Sequence, residues 1–139
     1  DDADYRVYTL LGDGEIQEGQ VWEASMLAAS HKLDNLVVIV DNNNLQLDGS
    51  LEEVMSPYPI GDKFKAFGWN VVPCDGHDVE DICRAVKEAK AVSGKPSLIL
   101  AKTVKGKGVS FMEGRNTWHG KAINDEEYAK AKTELGGAL

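Results

Sequence analysis

The feature that most constrains the fold is an unbroken run of five aliphatic residues at positions 36–40. A strand whose successive residues are all apolar has both faces buried, which is typical of a parallel sheet covered by helices on both sides. Segments with strand character alternate along the chain with segments of helical character. The strands are expected at residues 5–11, 36–40, 69–74 and 97–101, and the helices at residues 17–32, 60–67, 78–92 and 125–134. This alternation predicts an α/β fold with a mostly parallel sheet and helices on both faces.

Two parts of the chain depart from this regular pattern. Residues 41–59 combine turn-forming asparagines with two prolines, so we expect an irregular connection there. Only four residues precede the first predicted strand, which would leave that strand without a protected neighbour. We therefore expect residues 1–139 to form a single, partial domain that belongs to a larger sheet.

Charge and cysteine content narrow the classes of function. The chain has 15 Lys and Arg residues against 23 Asp and Glu residues, a formal net charge of −8, which argues against a nucleic-acid partner or an anionic membrane surface. Cys74 and Cys83 lack the spacing of a disulfide framework or a zinc site, so we expect free thiols in a reducing cytoplasm. No apolar run approaches the roughly 18–20 residues of a membrane span, and no signal peptide opens the sequence.

Sharp polar turns follow two of the predicted strands. The first strand leads into Gly12-Asp13-Gly14, and the apolar run at 36–40 leads into Asp41-Asn42-Asn43. In a parallel sheet both turns emerge at the carboxyl edge, where ligands of α/β proteins bind. Asp13 and Asn43 are therefore expected to lie close together, although they are thirty positions apart.

The residue types in these turns suit a metal-bridged diphosphate. A carboxylate, an amide oxygen and a backbone carbonyl are hard oxygen ligands of the kind that Mg²⁺ prefers, with phosphate and water completing its octahedron. Gly12 and Gly14 permit a tight turn and a close approach of the backbone to an anion. The N-terminus of the following helix adds free N–H donors and a favourable dipole.

The motifs, taken together, resemble those of one enzyme family. Gly12-Asp13-Gly14 followed by Asn42-Asn43 is similar to the thiamine diphosphate signature, and Glu18-Gly19 and Trp22-Glu23-Ala24 also match. Later segments narrow the resemblance to transketolases, in order and spacing over nearly the whole chain. These segments are Leu47-Asp48-Gly49, Asp75-Gly76-His77-Asp78, residues 102–108 and Trp118-His119-Gly120.

The resemblance implies a set of ligands for thiamine diphosphate and Mg²⁺. Asp13 and Asn43 would bind the metal through their side chains, and Leu45 would bind it through its backbone carbonyl. Gly14 would donate its N–H to the diphosphate, Asn43 would also contact the diphosphate, and Gly12 would belong to the same cofactor-binding turn.

The resemblance also implies roles in catalysis. Leu47 would provide an apolar contact to the thiazolium region of the cofactor. His119 would reach both the cofactor and the reacting end of the sugar. Glu18 would be a buried glutamate that links the two cofactor sites across a dimer.

A transketolase transfers a two-carbon ketol unit from a ketose phosphate to an aldose phosphate, and the cofactor carries the difficult chemistry. The resemblance implies a homo- or hetero-oligomer in which a pyrimidine-binding domain or subunit completes the site, as in split transketolases. We therefore expect this segment alone to be inactive.

Several alternatives remain open on sequence grounds. A dinucleotide-binding oxidoreductase would require the pattern GxGxxG, but position 17 is Gln, and three asparagines follow Asp41. Another thiamine diphosphate enzyme, such as deoxyxylulose phosphate synthase or the alpha subunit of a 2-oxoacid dehydrogenase, is a nearer alternative. Trp118-His119-Gly120 and the Lys-Gly-Lys-Gly loop argue against the dehydrogenase. A non-catalytic paralogue that only assembles with a partner would also carry these motifs.

Individual residues have structural alternatives as well. Residues 42–44 are good turn formers, so composition alone does not identify the ligand among them, and the family spacing selects Asn43. Glu18 suits a solvated helix surface, and His77 suits a residue that fixes a turn. Lys105 and Lys107 suit either phosphate binding or simple solvation.

Overall fold

The computed structural model describes residues 4–136. It contains strands β1 (Val7–Gly12), β2 (Leu36–Asn42), β3 (Leu45–Gln46), β4 (Gly49–Ser50), β5 (Asn70–Asp75) and β6 (Ser97–Lys102). The helices are α1 (Gly19–Ser30), α2 (Leu51–Val54), α3 (Ile60–Ala66), α4 (Val79–Ala91) and α5 (Asp125–Glu134). Two 3₁₀ turns lie at Glu15–Gln17 and Asn116–Trp118.

Four parallel strands form the main sheet in the order β1-β2-β6-β5. The aliphatic run predicted as a buried strand lies in β2, a central strand, where Val37 and Val40 are fully buried. Val38 and Val40 pack on the face covered by α1 and α3, whereas Val37 and Ile39 pack on the face covered by α4. The predicted α/β class, with a mostly parallel sheet and helices on both faces, is confirmed.

Local sequence signals fix several helix ends. The side chain of Asp78 accepts hydrogen bonds from the first turn of α4, and Asn124 and Glu127 form a reciprocal capping box at the start of α5. α3 ends at Ala66 and is followed by Gly68, whose φ of +94° is accessible to glycine at little cost. The predicted bounds of α5 agree with the structure, and those of α4 differ by one residue at each end.

Elsewhere the structure corrects the predicted elements. The helix expected at 17–32 is shorter and begins at Gly19, as α1. A separate 3₁₀ turn at Glu15–Gln17 precedes it, and Glu18, with an extended backbone of ψ 132°, separates the two. The connection expected to be irregular contains the antiparallel ribbon β3–β4 and the one-turn helix α2. α2 forms because Ser50 and Glu53 make a capping box.

β1 is an edge strand with apolar side chains in solvent. Tyr8 is 47% exposed and Leu10 is 68% exposed, on the α4 face of the sheet. The expectation that the sheet continues beyond this edge stays a prediction. None of the helices between residues 4 and 136 combines the length and apolar content needed to span a membrane.

Candidate functional site

The two polar turns meet at the carboxyl edge of the sheet. β1 and β2 are paired so that Gly12 lies opposite Asp41, and the backbone N–H of Asp13 donates to the carbonyl of Asp41 over 3.1 Å. The parallel pairing thus brings together turns that are far apart in sequence, as the strand pattern predicted.

Asp13 is a buried carboxylate with one oxygen left free. Its side chain is 1% exposed, and Oδ2 accepts a hydrogen bond of 2.6 Å from the backbone N–H of Asn44. Oδ1 is buried and finds no hydrogen-bond partner among residues 4–136. Burial raises the pKa of Asp13 above its ordinary value, and the backbone hydrogen bond from Asn44 opposes that rise. A desolvated carboxylate with an unused oxygen suits a bound cation.

Asn43 is held in place by its neighbours. Its Nδ2 donates to Asp41 Oδ2 over 3.3 Å, and its Oδ1 accepts from the backbone N–H of Leu45 over 3.0 Å. The hydroxyl of Thr103, from the end of β6, donates to the other oxygen of Asp41. The side chain of Asn43 is therefore oriented before any ligand arrives.

The structure distinguishes Asn43 from the asparagines beside it. Asn42 accepts a 2.6 Å hydrogen bond from the hydroxyl of Tyr58, so its side-chain oxygen serves the fold. Asn44 has a left-handed backbone with φ of 63° and contributes its backbone N–H to Asp13. Of the three asparagines, Asn43 lines the cavity described next.

A cavity of about 380 Å³ opens above the two turns. It brings together the residues expected to bind cofactor and metal, along with four residues that the motifs did not assign to the site. Its lining comprises Gly12, Asp13, Gly14, Glu15, Asp41, Asn43, Leu45, Gln46, Leu47, Lys105 and His119. The roles of the individual residues stay predictions, but their convergence on one cavity agrees with the spacing argument.

Leu47 and His119 lie at the rim of this cavity. Leu47 is 61% exposed, and His119 is an exposed residue directly after the 3₁₀ turn that ends at Trp118. Asn116 donates to the backbone carbonyl of Leu47 over 3.4 Å and so joins the two segments. The apolar side chain of Leu47 and the imidazole of His119 therefore lie on the solvent-exposed side of the cavity, above the two polar turns.

Glu18 does not join this group. It is exposed, it precedes α1 without capping it through its side chain, and it lies outside the cavity lining. Glu18 is thus exposed in this chain taken by itself, and its burial in a dimer stays a prediction. Its predicted role at a dimer interface stays a prediction.

Lys105 lines the cavity, whereas Lys107 does not. Lys107 lies 3.6 Å from Glu113 in an exposed ion pair. His77 fixes the neighbouring loop, because its Nε2 accepts a 2.7 Å hydrogen bond from the backbone N–H of Val104. The sequence indicated this structural role for His77, but it left Lys105 undecided between phosphate binding and solvation.

The chemistry of the donor set fits a magnesium diphosphate. Within residues 4–136, no cluster of three or more His, Cys, Asp or Glu side chains is arranged to hold a metal. Asp13, Asn43 and the carbonyl of Leu45 would leave the remaining positions of the ion to phosphate and water, as Mg²⁺ commonly requires. The ammonium of Lys105 would offset the negative charge of the phosphates.

The fold defines an α/β protein, and the lining of the cavity at the carboxyl edge of its sheet suits a diphosphate. Comparison with known proteins specifies the class further. Residues 1–138 match the family described as the transketolase thiamine diphosphate binding domain. The chain belongs to this family, which confirms the resemblance and leaves a dinucleotide-binding fold without support.

Among curated relatives, the chain is 46% identical to one of the subunits of apulose-4-phosphate transketolase from Phocaeicola vulgatus, covering 97% of this chain and 48% of the relative. It is also 46% identical to a 6-deoxy-6-sulfo-D-fructose transketolase subunit of Clostridium sp. strain MSTE9, covering 93% of this chain and 47% of the relative. The crystal structure of transketolase from Campylobacter jejuni aligns with a TM-score of 0.89 at 41% identity, over 96% of this chain and 21% of that one. The chain thus spans about half the length of these two curated subunits.

Proposed function

We propose that this chain supplies the diphosphate- and Mg²⁺-binding half of a transketolase active site. The observation that carries the proposal is that Oδ1 of buried Asp13, in the same cavity as Asn43 and Leu45, has no partner within the described part of the chain. The complete enzyme would transfer a two-carbon ketol unit from a ketose phosphate to an aldose phosphate. When bound, thiamine diphosphate supplies a stabilised carbanion for this transfer.

The residues of this chain have separable tasks in the proposal. Asp13, Asn43 and the Leu45 carbonyl hold Mg²⁺, and the N–H of Gly14 and the ammonium of Lys105 bind the diphosphate. The cation and the lysine together offset the negative charge of the phosphates. The site can therefore bind an anion although the chain has a net charge of −8.

His119 and Leu47 act on the solvent side of the cavity. The imidazole of His119 donates a hydrogen bond to sugar oxygens as negative charge develops on them. Leu47 packs against the thiazolium region and excludes water from it. Neither residue is buried in this chain, so the proposal requires a further surface to close the site.

That surface comes from a pyrimidine-binding subunit or domain, within a homo- or hetero-oligomer. Two relatives are named as transketolase subunits, which supports a partner on a separate chain. Exposed Glu18 is available for contact across such an interface. Cys74 and Cys83 are free thiols, which supports a cytoplasmic location.

Reconstitution tests the proposal. The chain is mixed with its pyrimidine-binding partner, and ketol transfer from fructose 6-phosphate to an aldose phosphate is followed. We expect turnover to require both chains, thiamine diphosphate and Mg²⁺. His119→Ala should lower kcat about 100-fold, as expected for the loss of one donor to a developing oxyanion.

His31→Ala is the matched control, because His31 is exposed at the end of α1 and lies outside the cavity. It should retain the activity of the unaltered protein. If the assembled chains bind neither cofactor nor Mg²⁺, the enzyme assignment fails and the non-catalytic paralogue is favoured.

A further inference from the structure

The side-chain amide nitrogen of Gln46 is a buried donor that no described residue provides with an acceptor. Gln46 ends β3 and lies opposite Gly49 in the small antiparallel ribbon. Its Nε2 is buried and has no hydrogen-bond partner among residues 4–136. A buried donor left unpaired carries a free-energy cost, so it calls for an acceptor that the described part of the chain does not provide.

Gln46 lies directly against the turn that is expected to bind diphosphate. An ideal Cβ placed on Gly14 would be only 2.6 Å from the Cβ of Gln46, so the absence of a side chain at Gly14 allows this approach. Gln46 also lines the same cavity as Asp13 and Lys105. The residue that carries the unpaired donor therefore lies beside the site and not on a remote surface.

The unpaired atoms of the cavity lining differ in polarity. Asp13 Oδ1 is an acceptor suited to a cation, whereas Gln46 Nε2 is a donor suited to an anion. Asn44 Oδ1 is also unpaired, but Asn44 does not line the cavity. A ligand that carries a divalent cation and phosphate oxygens together would satisfy both atoms of the lining.

We propose that Gln46 is an additional binding residue whose Nε2 donates a hydrogen bond to a diphosphate oxygen. This inference rests on the proposed function and adds a residue to its site. An ionised diphosphate offers many acceptor oxygens, and a fixed amide donor adds directional binding to the diffuse charge of Lys105.

The test measures binding to the chain assembled with its partner subunit, by calorimetric titration of thiamine diphosphate and of inorganic pyrophosphate in Mg²⁺. Gln46→Met removes the donor but keeps the length of the side chain. We expect both ligands to bind about 10- to 100-fold more weakly, as for a lost hydrogen bond to a charged group. Gln46→Glu should weaken binding further, because it places a negative charge beside the phosphates.

A second readout separates a binding role from a structural one. Because Gln46→Met removes an unpaired buried donor, the thermal midpoint of the ligand-free protein should stay the same or rise. A residue that only supported the fold would lower this midpoint when replaced. A clear fall in the midpoint of Gln46→Met, with ligand affinity unchanged, overturns the inference.

Gln20→Glu is the matched control, since Gln20 is exposed on α1 outside the cavity and the change adds the same charge. It should bind both ligands like the unaltered protein. Tighter Mg²⁺ binding by Gln46→Glu would show that the amide oxygen faces the ligand, which contradicts the donor assignment. Absence of Mg²⁺-dependent binding in the unaltered protein would instead refute the proposed function itself.

Discussion

Gly14→Ala provides a quantitative test of how the diphosphate turn is built. Gly14 has φ of −71° and ψ of −34°, which alanine adopts freely, so the backbone conformation does not oppose the substitution. The obstacle is the 2.6 Å approach of the new Cβ to the Cβ of Gln46. Ordinary contact begins at 3.4 Å, so the turn and β3 must separate by 0.8 Å to restore it.

This displacement would act on both stability and binding. Overpacking of this kind costs about 1–3 kcal/mol of unfolding free energy. β3 also carries the carbonyl of Leu45, and Mg²⁺ tolerates little deviation from ligand distances of about 2.0–2.1 Å. A shift of 0.8 Å is therefore expected to weaken Mg²⁺-dependent binding of thiamine diphosphate by about 10-fold or more, since about 1.4 kcal/mol lost from the bound state is tenfold in affinity.

Replacing Gln46 in the same protein identifies the cause. Gln46→Ala keeps the clashing Cβ, so the penalty of Gly14→Ala should persist in that background. Gln46→Gly removes it and leaves Gln46 Cα at 3.5 Å, which is ordinary contact, so the penalty should fall below about twofold. Affinity is measured by titration, and stability by chemical denaturation.

Gly19→Ala is the control, because a Cβ at Gly19 meets nothing within 4 Å. It should bind cofactor normally and be slightly more stable, as expected for alanine in a helix. The reasoning is refuted if Gly14→Ala costs as much with glycine at position 46 as with glutamine, or if it costs nothing at all.

Three further predictions concern the rest of the fold. Phe64→Ala should lower the unfolding free energy by about 3–5 kcal/mol in chemical denaturation, because the ring is fully buried against two tryptophans; a loss below about 1 kcal/mol would contradict this packing. Exposed Cys83 should be alkylated rapidly in the native protein. Cys74, whose thiol pKa is raised by burial, should react only on unfolding. Equal alkylation rates of the two thiols by mass spectrometry would contradict the burial of Cys74. Hydrogen bonds from the hydroxyl and backbone N–H of Ser110 lower the pKa of Glu134. The ionised Glu134 therefore stabilises the fold above the ordinary Glu pKa of about 4.3, and this stabilisation is lost as pH falls through the lowered pKa. The thermal midpoint of Glu134→Gln should depend less steeply on pH in the acid range, and an unchanged slope would refute this.

The parts of the fold that followed from sequence are those with a strong local or periodic signal. The aliphatic run of β2 predicted a strand buried on both faces, and the bounds of α5 were predicted at Asp125 and Glu134. The ribbon β3–β4 was missed because strands of two residues carry no periodicity. The break before α1 was missed because Glu18 gives no helix-breaking signal.

The candidate site likewise combines features that the sequence predicts with features that depend on packing. Parallel topology and family spacing were enough to place Asp13 and Asn43 at one sheet edge. Gln46 and the unpaired atoms of the cavity could not be predicted, because their positions depend on how β3 packs against the Gly14 turn. The exposure of Glu18 depends on which surfaces surround α1, and the residues of one chain do not specify that.

Diffraction from crystals of the assembled chains, grown with thiamine diphosphate and Mn²⁺, locates the metal that Asp13 and Asn43 are proposed to bind. Mn²⁺ takes the same carboxylate, carbonyl and water ligands as Mg²⁺ and can be located by its anomalous signal. We expect one strong peak within about 2.5 Å of Asp13 Oδ1, Asn43 Oδ1 and the Leu45 carbonyl, close to the distances known for such hard cations. A peak bound elsewhere, with Asp13 Oδ1 still unpaired or occupied by a protein donor, would contradict it.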